Sequence, residues 1–280
     1  MKKKIWLISF MILFGWTLSV SADLIELKGG RYVGGQIIEQ TDEYVKILVD
    51  GASVTYPSED IVKIDKTKEA TLQGAARSIK TGYLNFRNQR VQLDIYNPGT
   101  KNRPVLIILH GIEGIEGEQG VRYFQLASDL MSRGFIVINV HYGQSQPTLW
   151  TETVIKTIGF AQVIPNADKG RIGLVGYSVG GALALEAASL DERVKLLVIH
   201  SGYMPQGFSQ EQADRLPHTL MICGDQDPVI QSLAQLQKWL VDLKKPLEAY
   251  INKGYSYNNM PSKVWSENQA TIATFFIQNF

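Results

Sequence analysis

Hydrophobic and polar positions divide the chain into a leading apolar run, a short segment of β pattern and a longer segment of alternating pattern. From residue 82 onward, apolar runs typical of strands alternate with stretches that favour helices. The runs at residues 105–109 and 135–140 are continuously apolar, as in strands buried on both faces of a parallel sheet. The pattern predicts strands at residues 82–87, 91–97, 104–110, 135–141, 171–176, 194–200, 218–224 and 247–252. It predicts helices at about residues 119–133, 150–164, 179–189, 230–243 and 264–279.

Residues 82–280 should therefore form one α/β domain with a doubly wound, mostly parallel sheet of eight strands. The first two strands lie close together in the chain and are expected to pair as a hairpin. The polar, helix-capable stretch at residues 66–81 is interpreted as a linker to the preceding unit.

Residues 23–65 contain five short runs of strand pattern, separated by turns. So many short strands in so few residues predict a small all-β barrel. The segment resembles SH3-like or Sm-like barrels of secreted bacterial proteins through Leu27, Gly30, Gly35 and Ile37. Such barrels bind RNA, peptides or wall polymers, or pack on a neighbour. Packing on the α/β domain or oligomerisation is the interpretation favoured here.

The N-terminus has the pattern of a secretory signal peptide. Met1 is followed by three lysines and then by an apolar run that ends near Val20. The small residues Ser21 and Ala22 follow, at positions that a signal peptidase reads. Cleavage after Ala22 predicts a periplasmic or secreted protein without a stable membrane span, and an uncleaved anchor is the alternative. A lipoprotein is excluded because no cysteine directly follows the apolar run.

Composition excludes several classes of partner. The chain has 280 residues, 45% of them hydrophobic, and a formal net charge of +1, which gives no electrostatic case for binding nucleic acid. The single cysteine, Cys223, lies in an apolar run and cannot form an intrachain disulfide. No histidine or cysteine spacing typical of a zinc site is present, and no glycine pattern of a dinucleotide or phosphate loop. We therefore expect no metal and no cofactor.

The most informative motif is Gly176-Tyr177-Ser178-Val179-Gly180, which reads G-x-S-x-G. An apolar strand pattern precedes it and a strong helix pattern follows it. In that context the serine sits on a sharp strand-to-helix turn with its hydroxyl exposed, the arrangement called a nucleophile elbow. Glycines two residues before and after the serine leave room for such a turn. Ser178 is thus the candidate nucleophile.

Residues 82–280 resemble the dienelactone hydrolase branch of the α/β hydrolases through three motifs, in residues 104–111, 171–181 and 224–229. The resemblance implies an α/β-hydrolase fold and a small-molecule ester, lactone or related carbonyl substrate. Dienelactone hydrolases proper use a cysteine nucleophile, whereas many relatives have a serine. The resemblance also implies that the N–H groups of Ile112 and Val179 form the oxyanion hole and that Asp227 orients the catalytic histidine. Glu113 and Glu116 lie in the same loop as Ile112, within reach of a substrate, although exposed loop carboxylates are common.

The catalytic histidine itself is missing, because Tyr257 stands at its expected position and no histidine follows His218. A tyrosine, with a pKa near 10, is a poor base at neutral pH. His110, His141 and His200 are candidates for lining the pocket rather than for replacing the base.

Two functions stay open at this point. The first is a serine hydrolase impaired by the loss of the histidine. The second is an inactive relative that binds a ligand or a protein in the cell envelope. A weaker third idea is a scaffold protein of the cell envelope in which the N-terminal barrel is the functional part.

Overall fold

The computed structural model describes residues 23–28, 32–49, 52–65, 79–115 and 117–280. The predicted signal peptide lies outside the described residues, as does most of the predicted linker. Residues 79–81, which the sequence assigned to the linker, belong to the first strand of the large sheet. Within the described ranges, no helix is both long enough and apolar enough to span a bilayer.

The N-terminal unit is a five-stranded antiparallel sheet with the strand order β4-β3-β2-β1-β5. Its small core contains Ile25, Val45 and Ile47. Among the strand pairs that the structure describes, β4 and β5 do not pair, so a closed barrel stays a prediction. The strands are β1 (Asp23–Leu27), β2 (Tyr32–Gln40), β3 (Tyr44–Val49), β4 (Ala52–Pro57) and β5 (Ile61–Asp65).

The second unit has an eight-stranded sheet with the order β13-β12-β11-β10-β8-β9-β7-β6. The pairs β6–β7 and β7–β9 are antiparallel and the others are parallel. This confirms the predicted α/β class and the predicted hairpin of the first two strands of this domain. The strands are β6 (Ile79–Phe86), β7 (Gln89–Tyr96), β8 (Arg103–Leu109), β9 (Ile136–Val140), β10 (Ala167–Tyr177), β11 (Val194–His200), β12 (His218–Gly224) and β13 (Leu247–Asn252).

Helices cover both faces of this sheet. Side chains of α2, α3, α4 and α5 join one core cluster, and those of α1 and α6 join the other. The helices are α1 (Gly117–Ser132), α2 (Trp150–Ala161), α3 (Val179–Leu190), α4 (Gln210–Asp214), α5 (Ile230–Asp242) and α6 (Ser262–Asn279). The sequence pattern missed α4, because five residues are too few to show a helical period.

The central strands explain why the sequence forms this architecture. Along β8, Val105 and Ile107 enter one core cluster, whereas Leu106 and Ile108 enter the other. Both faces of the strand are therefore buried, which requires a continuous apolar run. The carboxyl ends of the parallel strands meet at one edge of the sheet, where ligands bind in open α/β folds. The candidate residues that follow β8, β9, β10 and β12 are thereby gathered at that edge.

Candidate active site

Ser178 occupies the turn between β10 and α3, as the sequence predicts. Its backbone angles are φ 51° and ψ −118°, a conformation that residues with side chains rarely adopt. Its N–H donates to the carbonyl of His200 at 3.0 Å, which anchors the turn to the neighbouring strand. A Cβ added at Gly176 would overlap the carbonyl of Gly180. A Cβ added at Gly180 would overlap the carbonyls that end β8, so both glycines of the motif are required by space.

The two predicted oxyanion donors belong to the two segments that meet at Gly180. Val179 belongs to α3, and Ile112 belongs to the loop after β8. Val179 is the first residue of α3, and the first N–H groups of a helix have no acceptor within it. In the loop after β8, the N–H of Gly111 donates to the Tyr123 hydroxyl at 3.0 Å. That amide is therefore already used, whereas none of the described residues accepts the N–H of Ile112. Ile112 is 73% exposed and lines the neighbouring cavity.

Asp227 is buried next to the turn that follows β12, and each of its oxygens is already occupied. Oδ2 accepts the Ser201 hydroxyl at 2.7 Å and the N–H of Gly224 at 3.2 Å. Oδ1 accepts the N–H of Tyr257 at 3.2 Å. Asp225 caps the turn by accepting the N–H of Gly254 at 2.7 Å. The thiol of Cys223 also donates to Oδ2 of Asp227 at 3.5 Å. The acid at the family's position thus binds a serine, a cysteine and two amides, and no histidine is among its described partners.

The hydroxyl of Tyr257 points to a different partner from the one expected. At the place of the catalytic histidine it would lie near Ser178 and Asp227, but it donates to Glu113 Oε1 at 2.5 Å. It also lies 2.7 Å from the Tyr123 hydroxyl, which is itself 2.9 Å from Glu113 Oε1. Burial raises the pKa of the Tyr257 phenol far above its ordinary value, so this group stays protonated. It cannot accept the proton of a serine.

His110 and His141 line a cavity of about 360 Å³ beside the elbow. The His110 ring stacks on Tyr142 at 4.0 Å, and burial lowers its pKa. His141 Nε2 lies 2.7 Å from Asp94 Oδ2. Asp94 belongs to β7, which flanks β9 on the side away from β10. His141 is therefore turned away from Ser178.

His200 does not line that cavity, and the expectation that it faces a pocket is corrected. Its side chain is fully buried, with the ring stacked on Trp265 at 4.8 Å. Its Nε2 lies 2.9 Å from Nδ2 of Asn268 in α6. Burial lowers the pKa of His200 to about 3, although the nearby charge of Asp227 opposes this shift. His200 is a neutral core residue at neutral pH.

The loop at residues 110–115 lines the cavity, and its first residue, His110, packs against Gly180 of the serine turn. Neither Ser178 nor Asp227 is among its lining residues, and Ser178 is half-buried at the edge of the sheet. The sequence did not single out Ser201, Tyr123 or Asp94 as parts of this region. Ser201 directly follows β11, a position at the carboxyl edge that could have marked it.

An eight-stranded, mostly parallel sheet with its serine on a strand-to-helix turn defines an α/β hydrolase. The chain belongs to the dienelactone hydrolase family, whose model matches residues 93–273. This confirms the resemblance that the three sequence motifs indicated.

Two solved structures share the fold of this chain at low sequence identity, and one sequence relative matches part of it. The dienelactone hydrolase from Anabaena variabilis superposes with a TM-score of 0.61, 15% identity, and coverage of 72% of this chain and 98% of that one. The dienelactone hydrolase-like promiscuous phosphotriesterase P91 from metagenomic libraries gives a TM-score of 0.62 and 12% identity, with coverage of 72% and 99%. An uncharacterized 31.7 kDa protein of Escherichia coli is 33% identical over 110 residues. That match covers 36% of this chain and only 37% of the E. coli protein.

Proposed function

We propose that the protein is a serine hydrolase of the carboxylic-ester type, acting on an ester, lactone or related carbonyl compound through Ser178. The backbone of Ser178 carries this proposal. Ser178 combines φ 51° with ψ −118°, which lies outside the left-handed helical region where single non-glycine residues occur, and it does so at the turn between β10 and α3. Such strain is retained where the surrounding structure uses it. A turn with no chemical role is better served by glycine, which adopts this conformation without strain.

In this proposal the Ser178 hydroxyl attacks the carbonyl carbon, and the N–H groups of Ile112 and Val179 bind the oxyanion that forms. The serine proton has no good acceptor among the described groups. Asp227 already accepts from four donors, and the phenol of Tyr257 is protonated. Solvent must take the proton, so acylation should be slow and best with activated esters.

Labelling with a fluorophosphonate tests the nucleophile directly. We expect slow, saturable labelling of the wild-type protein and none of Ser178→Ala. Ser266→Ala, an exposed serine on α6, should label like the wild type. Hydrolysis of p-nitrophenyl acetate should be weak, on the order of 10³–10⁴-fold over water, as expected when a triad member is missing. Equal labelling of wild type and Ser178→Ala would show that another residue reacts.

A second candidate is an inactive relative that binds a ligand or protein without turnover. The bond from Ser201 to Asp227 favours it, because the acid then has a structural role that needs no histidine. Absence of any labelling in a folded wild-type protein would select this candidate over the first.

We also propose that the protein is exported to the periplasm or secreted. The support is sequence alone, namely the lysine-rich start and the small residues at Ser21 and Ala22. N-terminal sequencing of the protein recovered outside the cytoplasm should begin at Asp23. Recovery of the intact N-terminus in the membrane fraction would favour an uncleaved anchor.

A further inference from the structure

The cavity beside the elbow has three walls of different chemistry. The loop at residues 110–115 forms one wall, residues 141–144 form a second, and Trp150 at the start of α2 closes the third. Its volume of about 360 Å³ lies in the range of small-molecule pockets, roughly 300–1,000 Å³. The loop at residues 110–115 also carries Ile112, the proposed oxyanion donor, so it connects this cavity with the proposed reaction centre.

The charge of this cavity is negative. Glu113 contributes a carboxylate, and no lysine or arginine is among the described residues that line the cavity. Asp94 stands behind His141, and its pKa is lowered because bonds from His141 and Gln92 outweigh the effect of burial. Two carboxylates, Glu113 and Asp94, therefore stand at this site, and the second is hydrogen-bonded to His141.

Aromatic rings form the rest of the surface. Tyr142 stacks on His110 at 4.0 Å and meets Trp150 edge to face at 5.2 Å. Of the two oxygens of Glu113, Oε1 accepts the phenols of Tyr257 and Tyr123, and none of the described residues donates to Oε2. A carboxylate with aromatic faces is the combination that attracts ammonium groups, through charge and through the ring quadrupole.

We propose that this cavity binds the ammonium group of a cationic ester substrate. This inference rests on the proposed function, whose substrate class it narrows. Glu113 supplies the counter-charge, and Trp150 supplies an aromatic face. The same negative charge disfavours esters that carry a carboxylate near the scissile bond.

Calorimetric titration with a matched pair of compounds tests the site without requiring turnover. Choline and 3,3-dimethylbutan-1-ol have the same shape and differ in the positive charge. We expect choline to bind the wild-type protein roughly fivefold to tenfold more tightly. Glu113→Gln should remove this preference, while the amide can still accept the two phenols. Equal affinities, tighter binding of the neutral alcohol, or no saturable binding of choline would overturn the proposal.

Two further variants keep the test decisive. Glu152→Gln removes a carboxylate from α2 that pairs with Arg87 at 3.2 Å and does not line the cavity, so the preference should persist. Trp150→Leu keeps an apolar wall without a ring face, and should weaken choline more than the neutral alcohol. A preference that survives in both Glu113→Gln and Trp150→Leu would place choline elsewhere and overturn the proposal.

Hydrolysis separates failure of this inference from failure of the proposed function. We expect kcat/KM for acetylcholine to exceed that for 3,3-dimethylbutyl acetate, in a reaction that Ser178→Ala abolishes. If neither ester is hydrolysed through Ser178, the proposed function fails and the titration alone decides the cation site. If the neutral ester is the better substrate and Ser178→Ala abolishes its hydrolysis, the proposed function is supported and the proposed cation site is wrong.

Discussion

Tyr257→His should raise the hydrolysis of p-nitrophenyl acetate by about tenfold or more, through Ser178. A positioned histidine contributes roughly 10²–10⁴-fold as a general base. The turn around position 257 was not shaped for an imidazole, so the gain should fall below that range. The N–H of Tyr257 donates to Asp227 at 3.2 Å, which places this position next to the acid that a histidine needs.

Ser201 should limit that gain. Its hydroxyl donates to Asp227 Oδ2 at 2.7 Å and occupies an oxygen that an imidazole N–H would use. The double variant Ser201→Ala with Tyr257→His should therefore be faster than Tyr257→His alone. Adding Ser178→Ala to the double variant should remove the activity.

Two controls separate a restored base from other effects. Tyr257→Phe breaks the bond to Glu113 without supplying a base and should give no gain. Tyr250→His introduces an imidazole on the exposed face of β13, and it should also leave the rate unchanged. The idea is wrong if the histidine variants unfold at the same urea concentration as the wild type and yet gain no activity.

Acidification from pH 7 to pH 5 should lower the free energy of unfolding by about 2 kcal/mol through His200 alone. Burial lowers the pKa of His200 in the folded protein from 6.5 to about 3. Below about pH 6.5 the unfolded chain binds a proton at this residue, whereas the folded protein does not until about pH 3. Stability is therefore lost as the pH falls between these values. Burial lowers the pKa of His110 in the same direction, so the total loss should be larger.

Urea unfolding at pH 7, 6 and 5 measures this loss. His200→Phe keeps a ring against Trp265 and removes the titrating group, so its stability should depend less on pH than that of the wild type. The variant should be less stable at pH 7, because Asn268 loses a partner. Ser266→Ala, which changes an exposed serine that does not titrate, serves as the control and should retain the wild-type dependence. An unchanged slope in His200→Phe would contradict the assignment of His200 as a buried neutral base.

The sheet could be predicted because its central strands are buried on both faces and therefore have continuous apolar runs. The serine turn could be predicted because the space around it admits only glycine at two fixed positions. The hairpin start at Ile79 was missed, since the first residues of β6 are exposed and carry no apolar pattern. Local sequence pattern therefore predicts strands that are buried on both faces. It does not predict the exposed residues of a strand at the edge of the sheet.

The candidate site was less predictable because it depends on contacts between distant parts of the chain. Leu196 and Val198 pack in the cluster under α6, and strand alternation puts His200 on that same face. That periodicity was present in the sequence and argues against a pocket position for His200. The bond between Tyr257 and Glu113 joins residues 144 positions apart, and no local pattern indicates it.

Asp227 has a consequence for how such chains are assigned a function. Its carboxylate holds Ser201 and the amides of Gly224 and Tyr257, so its loss would disturb three segments at the edge of the sheet whether or not any substrate is cleaved. Selection for a folded protein is then enough to preserve this acid after a catalytic histidine is lost. Among relatives with this bonding pattern, retention of the aspartate is no diagnostic of enzymatic turnover, and the residue at position 257 is the better marker.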